Sequence, residues 1–151
     1  MLWFDTQAEE AAKLYVSIFP NSKILEVAHW GENGQAPKGS VLTVSFRLGD
    51  LEFVALNGGP QFKFSEAISL AIEVETQEEV DRYWKALTAN GGQEGPCGWL
   101  KDRYGLSWQV VASAAIRAIN GTDQKKADRV LAAVQEMKKF DVAKIEAAIR
   151  G

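Results

Sequence analysis

Cysteine and histidine each occur once in the 151 residues, at positions 97 and 29. A single cysteine excludes an intramolecular disulfide and any CxxC metal or redox pair. A single histidine leaves little from which to build a zinc site or a His-activated nucleophile. Cys97 stands beside proline and glycine with no neighbouring base to activate it. Basic charge is also scarce: 17 Lys and Arg against 20 Asp and Glu give a net charge of -3. Nucleic acid and anionic membrane both demand a net basic surface, so neither is expected as a partner. The Lys125–Lys126 and Lys138–Lys139 pairs read as the solvated face of a helix. No apolar run approaches the ~20 residues of a membrane span, and the N-terminus lacks a basic region followed by an apolar signal core. A cytoplasmic protein is expected.

What is present is an ordinary globular composition, 46% hydrophobic and 25% charged, at a length that suits one domain. A weak internal repeat organises it. Asp5-Thr6-Gln7-Ala8-Glu9-Glu10 resembles Glu75-Thr76-Gln77-Glu78-Glu79. In each copy a threonine precedes a glutamate by three residues, the pattern of a capping box. Apolar residues then follow at helical spacing: Ala8, Ala11, Ala12, Tyr15, Ile18 and Phe19 in the first copy, Val80, Tyr83, Trp84 and Leu87 in the second. Pro20-Asn21 and Asn90-Gly91-Gly92 end the two helices.

Strands flank each helix. Leu2–Phe4 and Ala67–Val74 precede; Lys23–Trp30, Val41–Leu48 and Leu51–Asn57 follow in the first copy, with Gly49-Asp50 as a tight turn. Gly98–Asp102 and Leu106–Ala112 follow in the second, after a poorly marked strand before Cys97. The pattern is β-α-β-β-β written twice, an α+β fold. From residue 113 the pattern is helical only: Ser113–Ile119, a longer helix bearing Ala127, Val130, Leu131, Val134 and Met137, and a last one capped by Asp141.

Four stretches carry a family resemblance: Trp3-Phe4-Asp5 leading to Ile18-Phe19-Pro20, Leu56-Asn57-Gly58-Gly59-Pro60-Gln61-Phe62, Glu75-Thr76-Gln77-Glu78-Glu79-Val80-Asp81, and Gly98-Trp99-Leu100-Lys101-Asp102 leading to Ser107-Trp108-Gln109. Together they resemble the PhnB-like family, also labelled 3-demethylubiquinone-9 3-methyltransferase domains, within the vicinal-oxygen-chelate (glyoxalase/bleomycin-resistance) superfamily. The resemblance implies one domain over residues 1–112, with modules of about 1–60 and 66–112 forming paired curved mixed sheets, and a C-terminal helical extension over 113–151. It does not carry methyl transfer with it. A typical S-adenosylmethionine site needs a strand, a glycine-rich turn and a helix, whereas Gly31-Glu32-Asn33-Gly34 leads into the loop Pro37-Lys38-Gly39.

Enzymes of that superfamily place ligands from four strands around one divalent ion, a Lewis acid for the substrate's oxygens. Carried over by resemblance, the first position falls at or before Met1 and supplies nothing. The others fall at Asn57, Ser69 and Gln109. Two amides and a hydroxyl bring no negative charge, and divalent ions bind poorly without carboxylate, imidazole or thiolate. No metal and no other cofactor is expected. His29, alternating with Leu25 and Val27, reads as structural.

Strand alternation places Phe53, Ala55 and Asn57 on one face, Ser69 and Ala71 on the matching face of the second module, and Ser107, Gln109 and Val111 after them. These faces are expected to curve around a small-molecule cavity, with Phe62 and Phe64 over its opening and Trp99 and Asp102 close by. Aromatic residues are more often core, however, and an aspartate before a turn more often binds turn amides. Three functional readings follow: a metal-independent small-molecule-binding protein, an enzyme on a small oxygenated substrate (a lyase, isomerase or dioxygenase-like chemistry), or a dimer-building structural domain. A homodimer is expected, because five tryptophans and the Val130, Leu131, Val134, Met137 stripe both need cover.

Overall fold

The same topology occurs twice along the chain. In the computed structural model, which describes residues 1–151, the chain divides into two compact units, Met1–Phe64 and Ser65–Gly151. The first holds β1 (Leu2–Phe4), α1 (Ala8–Ile18), β2 (Lys23–His29), β3 (Val41–Leu48) and β4 (Leu51–Asn57). The second repeats this with β5 (Leu70–Val74), α2 (Gln77–Thr88), β6 (Gln93–Glu94), β7 (Trp99–Lys101) and β8 (Ser107–Ala112). The strand orders, β1-β4-β3-β2 and β5-β8-β7-β6, correspond position by position. In each sheet the first strand runs parallel to the last and the remaining pairs are antiparallel. Both sheets are therefore mixed, and the α+β reading with a helical C-terminal part holds. No helix is long and apolar enough to cross a membrane.

Each helix covers one face of its own sheet. In α1 the spacing of Ala8, Ala11, Ala12 and Tyr15 gives a wholly buried stripe. It lies on β3 and β4, where Val44, Phe46 and Ala55 are buried in turn. The helix ends before Pro20, and Asn21 takes the left-handed backbone (φ 54) that reverses the chain. Between β3 and β4, Gly49 at φ 57 makes the two-residue turn that pairs Leu48 with Leu51. In β2 the register skips Leu25, a bulge that puts Ile24 and Val27 opposite Phe46 and Val44. Strict alternation through β2 therefore fails. Leu25 is exposed, and His29 ends the strand in an exposed position.

The two helix starts differ. Thr76 caps α2 by a complete capping box, its side chain accepting the Glu79 N–H while Glu79 accepts the Thr76 N–H at 3.1 Å. Thr6 caps nothing. The residue before α1 is Gln7, without a side-chain cap, and the Ala8 N–H donates instead to Asn57 Oδ1 at 2.8 Å. The capping-box reading is thus correct in the second copy and wrong in the first, where a strand residue supplies the acceptor.

The extension belongs to the second unit. It comprises α3 (Ser113–Ile119), α4 (Gln124–Gln135) and α5 (Val142–Arg150), with Asp123 and Asp141 capping the last two. Val130, Val134 and Ile145 are buried where α4 meets α3 and α5. Of the apolar stripe expected to need cover, Val130 and Val134 are buried within the unit and Met137 is half-buried, while Leu131 stays exposed. Phe140, buried between α4 and α5, lies against Gly98. The connector also accepts two backbone bonds, from Cys97 to Met137 O at 2.6 Å and from Gly98 to Lys138 O at 2.7 Å.

Candidate functional site

Alternation along β8 divides the second unit's sheet into two chemistries. Trp108, Val110 and Ala112 are buried on the side that α2 covers. Ser107, Gln109 and Val111 face the other way, and their register partners on β7 are Lys101 and Trp99 for the first two. On that face a cavity of about 430 Å³ is lined by Trp99, Lys101, Ser107, Gln93, Pro96 and Glu66, among others. Its volume falls in the range of small-molecule sites, roughly 300–1,000 Å³.

Three features set its electrostatics. Lys101 and Glu66 form an ion pair at the rim. The hydrogen bond that Lys101 donates holds the Glu66 carboxyl below the usual carboxylate range. Glu94 is fixed from the helix side by the Trp84 indole N–H, at 2.7 Å. The third feature is a deficit. Ser107 is fully buried, and its Oγ has no hydrogen-bond partner. A buried hydroxyl without a partner costs about 1–3 kcal/mol and is uncommon in native proteins.

Trp99 and Ser107, both placed at the expected cavity by the sequence, line this one. Ser69 and Gln109 come together beside it: Gln109 Nε2 donates to Ser69 Oγ at 2.9 Å. Asp102 is buried and its carboxylate is engaged elsewhere. It accepts the backbone N–H groups of Tyr104 at 2.9 Å and Leu106 at 3.1 Å, and the Trp108 indole N–H at 2.9 Å. It shapes the turn that delivers Ser107. Lys101, Glu66 and Gln93 are cavity residues that sequence reasoning missed. Lys101 was within reach of it, because alternation from Trp99 puts both on one face.

In the first unit the chosen face is the one that α1 covers. Phe53 stacks on Phe46 at 5.4 Å, and Phe46 contacts Tyr15 of α1. Asn57 spends both ends of its amide, Oδ1 on Ala8 and Nδ2 on Val41 O at 3.0 Å. Phe62 is mostly exposed and stands edge-on to Trp3 at 5.0 Å; Phe64 packs edge-on against Phe4 at 5.2 Å. Of the five tryptophans, Trp84 and Trp108 are buried, while Trp3, Trp30 and Trp99 are half-buried and line cavities.

The positions that resemblance assigns to a divalent ion do not fit one. Asn57 is committed to a helix and a strand, and Ser69 and Gln109 are bonded to each other. No three His, Cys, Asp or Glu side chains converge anywhere in the chain.

The sequence profile described as 3-demethylubiquinone-9 3-methyltransferase matches residues 1–111. The chain belongs to that family. Among solved structures, the putative 3-demethylubiquinone-9 3-methyltransferase, PhnB protein, from Bacillus cereus is 33% identical with a TM-score of 0.66, over 74% of this chain and 95% of that one. Protein PA1353 from Pseudomonas aeruginosa, 19% identical over 74% of this chain and 92% of its own, shares the fold at a TM-score of 0.61. No curated protein matches the chain. The match to the 3-demethylubiquinone-9 3-methyltransferase family stops within β8, so the helical extension lies outside the matched residues.

Proposed function

We propose that the chain is a small-molecule-binding protein of the glyoxalase/bleomycin-resistance type that works without a metal, and that its ligand occupies the cavity on the β7–β8 face. The observation that carries this reading is a cavity of small-molecule size whose lining includes Ser107, a residue whose buried Oγ has no partner within the protein. A ligand oxygen there would supply the missing partner, with Trp99, Pro96 and Leu100 as apolar walls for its body. Methyl transfer gains no support from the topology. The parallel neighbours β1 and β4 are separated by α1, β2 and β3, and β5 and β8 likewise, so neither unit contains the parallel βαβ crossover of a nucleotide-type site.

The test uses 2-naphthol, an uncharged hydroxylated aromatic probe, followed by nuclear magnetic resonance. Shifts should cluster at the Trp99 indole and the Lys101 and Ser107 amides. Ser107→Ala should weaken binding by about threefold to tenfold, the worth of one neutral hydrogen bond. The same substitution removes no protein hydrogen bond, so its melting temperature should equal or exceed that of the parent. A loss of stability would mean that the hydroxyl has a structural partner. Shifts confined to other regions would overturn the assignment of the cavity.

A further inference from the structure

A second cavity, of about 560 Å³, lies wholly within the first unit, where the β2–β3 loop meets the ends of β1 and β4. Its walls hold two indoles, Trp3 and Trp30, and two carboxylates, Asp5 and Glu9, and no lysine, arginine or histidine. The loop is fixed at its base, where the Trp30 N–H donates to Ser40 O at 2.8 Å and Trp30 O accepts from Gly39 at 2.9 Å.

Both rings rest on glycine backbone. A Cβ on Gly34 would come within 2.3 Å of Trp30 Cε3, and one on Gly58 within 2.3 Å of Trp3 Cζ2. Any larger residue at either position would push the indole away. Trp3 is further held by its Nε1, which donates to Gly59 O at 2.8 Å, and by the edge-on Phe62 ring. Trp30 differs. Its Nε1 is buried and has no acceptor. Glu9 shares its charge with Lys13 at 2.7 Å, whereas the exposed Asp5 carboxylate has no cation beside it.

Fixed aromatic rings attract cations through the ring quadrupole, and an unpaired carboxylate adds a Coulombic preference of the same sign. We propose that this cavity is a binding site for a small organic cation, of the alkylammonium class, that also carries a carbonyl or ester oxygen. The indoles and Asp5 select the charge. Trp30 Nε1 donates to the oxygen. The proposal is independent of the β7–β8 cavity and stands whether or not that one binds 2-naphthol.

The test compares acetylcholine with its uncharged carbon isostere, 3,3-dimethylbutyl acetate, on the unchanged protein. The cation should bind at least tenfold more tightly, with the largest shifts at the Trp3 and Trp30 indole N–H groups. Asp5→Asn should weaken acetylcholine about fivefold and leave the isostere unaffected. Trp30→Phe, which keeps a ring but removes the donor, should weaken acetylcholine at least threefold more than it weakens tetramethylammonium, which loses only the stronger cation–π ring. Equal affinity for the two esters would overturn the proposal, as would shifts that bypass both indoles. The isostere comparison needs no variant, so an unfolded Trp30→Phe would not leave the question open.

Discussion

Asn57 caps a helix that begins 49 residues before it: its Oδ1 accepts the Ala8 N–H at 2.8 Å while its Nδ2 donates to Val41 O at 3.0 Å. One amide ties α1, β3 and β4 together. Asn57→Ala removes two hydrogen bonds and leaves partly buried groups without partners, and is expected to cost about 2–3 kcal/mol. Thr76→Ala should cost about 1 kcal/mol through the loss of a local cap. Thr6→Ala should stay within about 0.5 kcal/mol, as a surface change away from any such feature. Urea denaturation of the three variants checks the ranking. A Thr6→Ala loss as large as that of Asn57→Ala would mean the helix start has been misassigned.

These residues also show why part of the architecture was legible in the sequence. β3, β4 and the Gly49-Asp50 turn between them follow from alternation and turn chemistry, which are local. The capping box at Thr76 is local too, and it was read correctly. Asn57 could not be read in the same way, because its partner is distant in sequence and a single chain carries no signal of that pairing. The face of β4 expected to line a cavity rests on the family position of Asn57. Alternation says which residues share a face, but not which face a helix will cover. Leu25 illustrates a third cause: a bulge shifts the period by one residue, and no residue type in Lys23–His29 announces it. In the second unit, Trp99 was found and Lys101 was not, because the expectation was built on family positions rather than on strand parity.

Zn²⁺, Ni²⁺ and Mn²⁺ should leave the melting temperature unchanged. A ligand that binds only the folded state adds about 2.7 kcal/mol at 100 times its dissociation constant, and none of the carboxylate, imidazole or thiolate groups converges in threes. Scanning calorimetry with each ion in turn checks this. A saturable rise with one of them would require a ligand set other than Asn57, Ser69 and Gln109.

Cys97 should be a sluggish nucleophile. Burial pushes its thiol above the ordinary range, which reduces the thiolate fraction, and the thiolate is the reactive species. Alkylation by iodoacetamide at pH 8 is therefore expected to run several-fold slower than that of a free thiol such as glutathione. A rate equal to or above that of glutathione would contradict it.

Acid should destabilise the fold partly through the α2 terminus. The Glu79 carboxyl lies below its ordinary range because the backbone N–H groups of Glu75 and Thr76 donate to it. Asp81 is lowered by hydrogen bonds from Lys139 and then Gln77. A carboxyl lowered by folding stabilises the native state when ionised. Its contribution is complete above the unfolded value, roughly pH 4, and disappears as pH falls through the native value. The urea midpoint should fall between pH 6 and pH 3, and Glu79→Gln should show a smaller fall than the parent. An identical fall in both would remove Glu79 from the account.

The contrast between the two helix starts also bears on the order of events in folding. α2 finds its cap three residues away, so its first turn can be satisfied before any strand has paired. α1 finds its cap only after the chain has closed a loop of 49 residues and placed β4 beside β1. Loop closure must be completed before such a contact rewards it. Two halves with matching strand orders are therefore expected to consolidate by different routes, the second from its helix outward and the first from its sheet inward. In kinetic terms Thr76→Ala should slow folding, whereas Asn57→Ala should mainly speed unfolding. Stopped-flow measurements on the pair give both rates. If the two variants divided their effects alike, symmetry of topology would extend to the pathway as well.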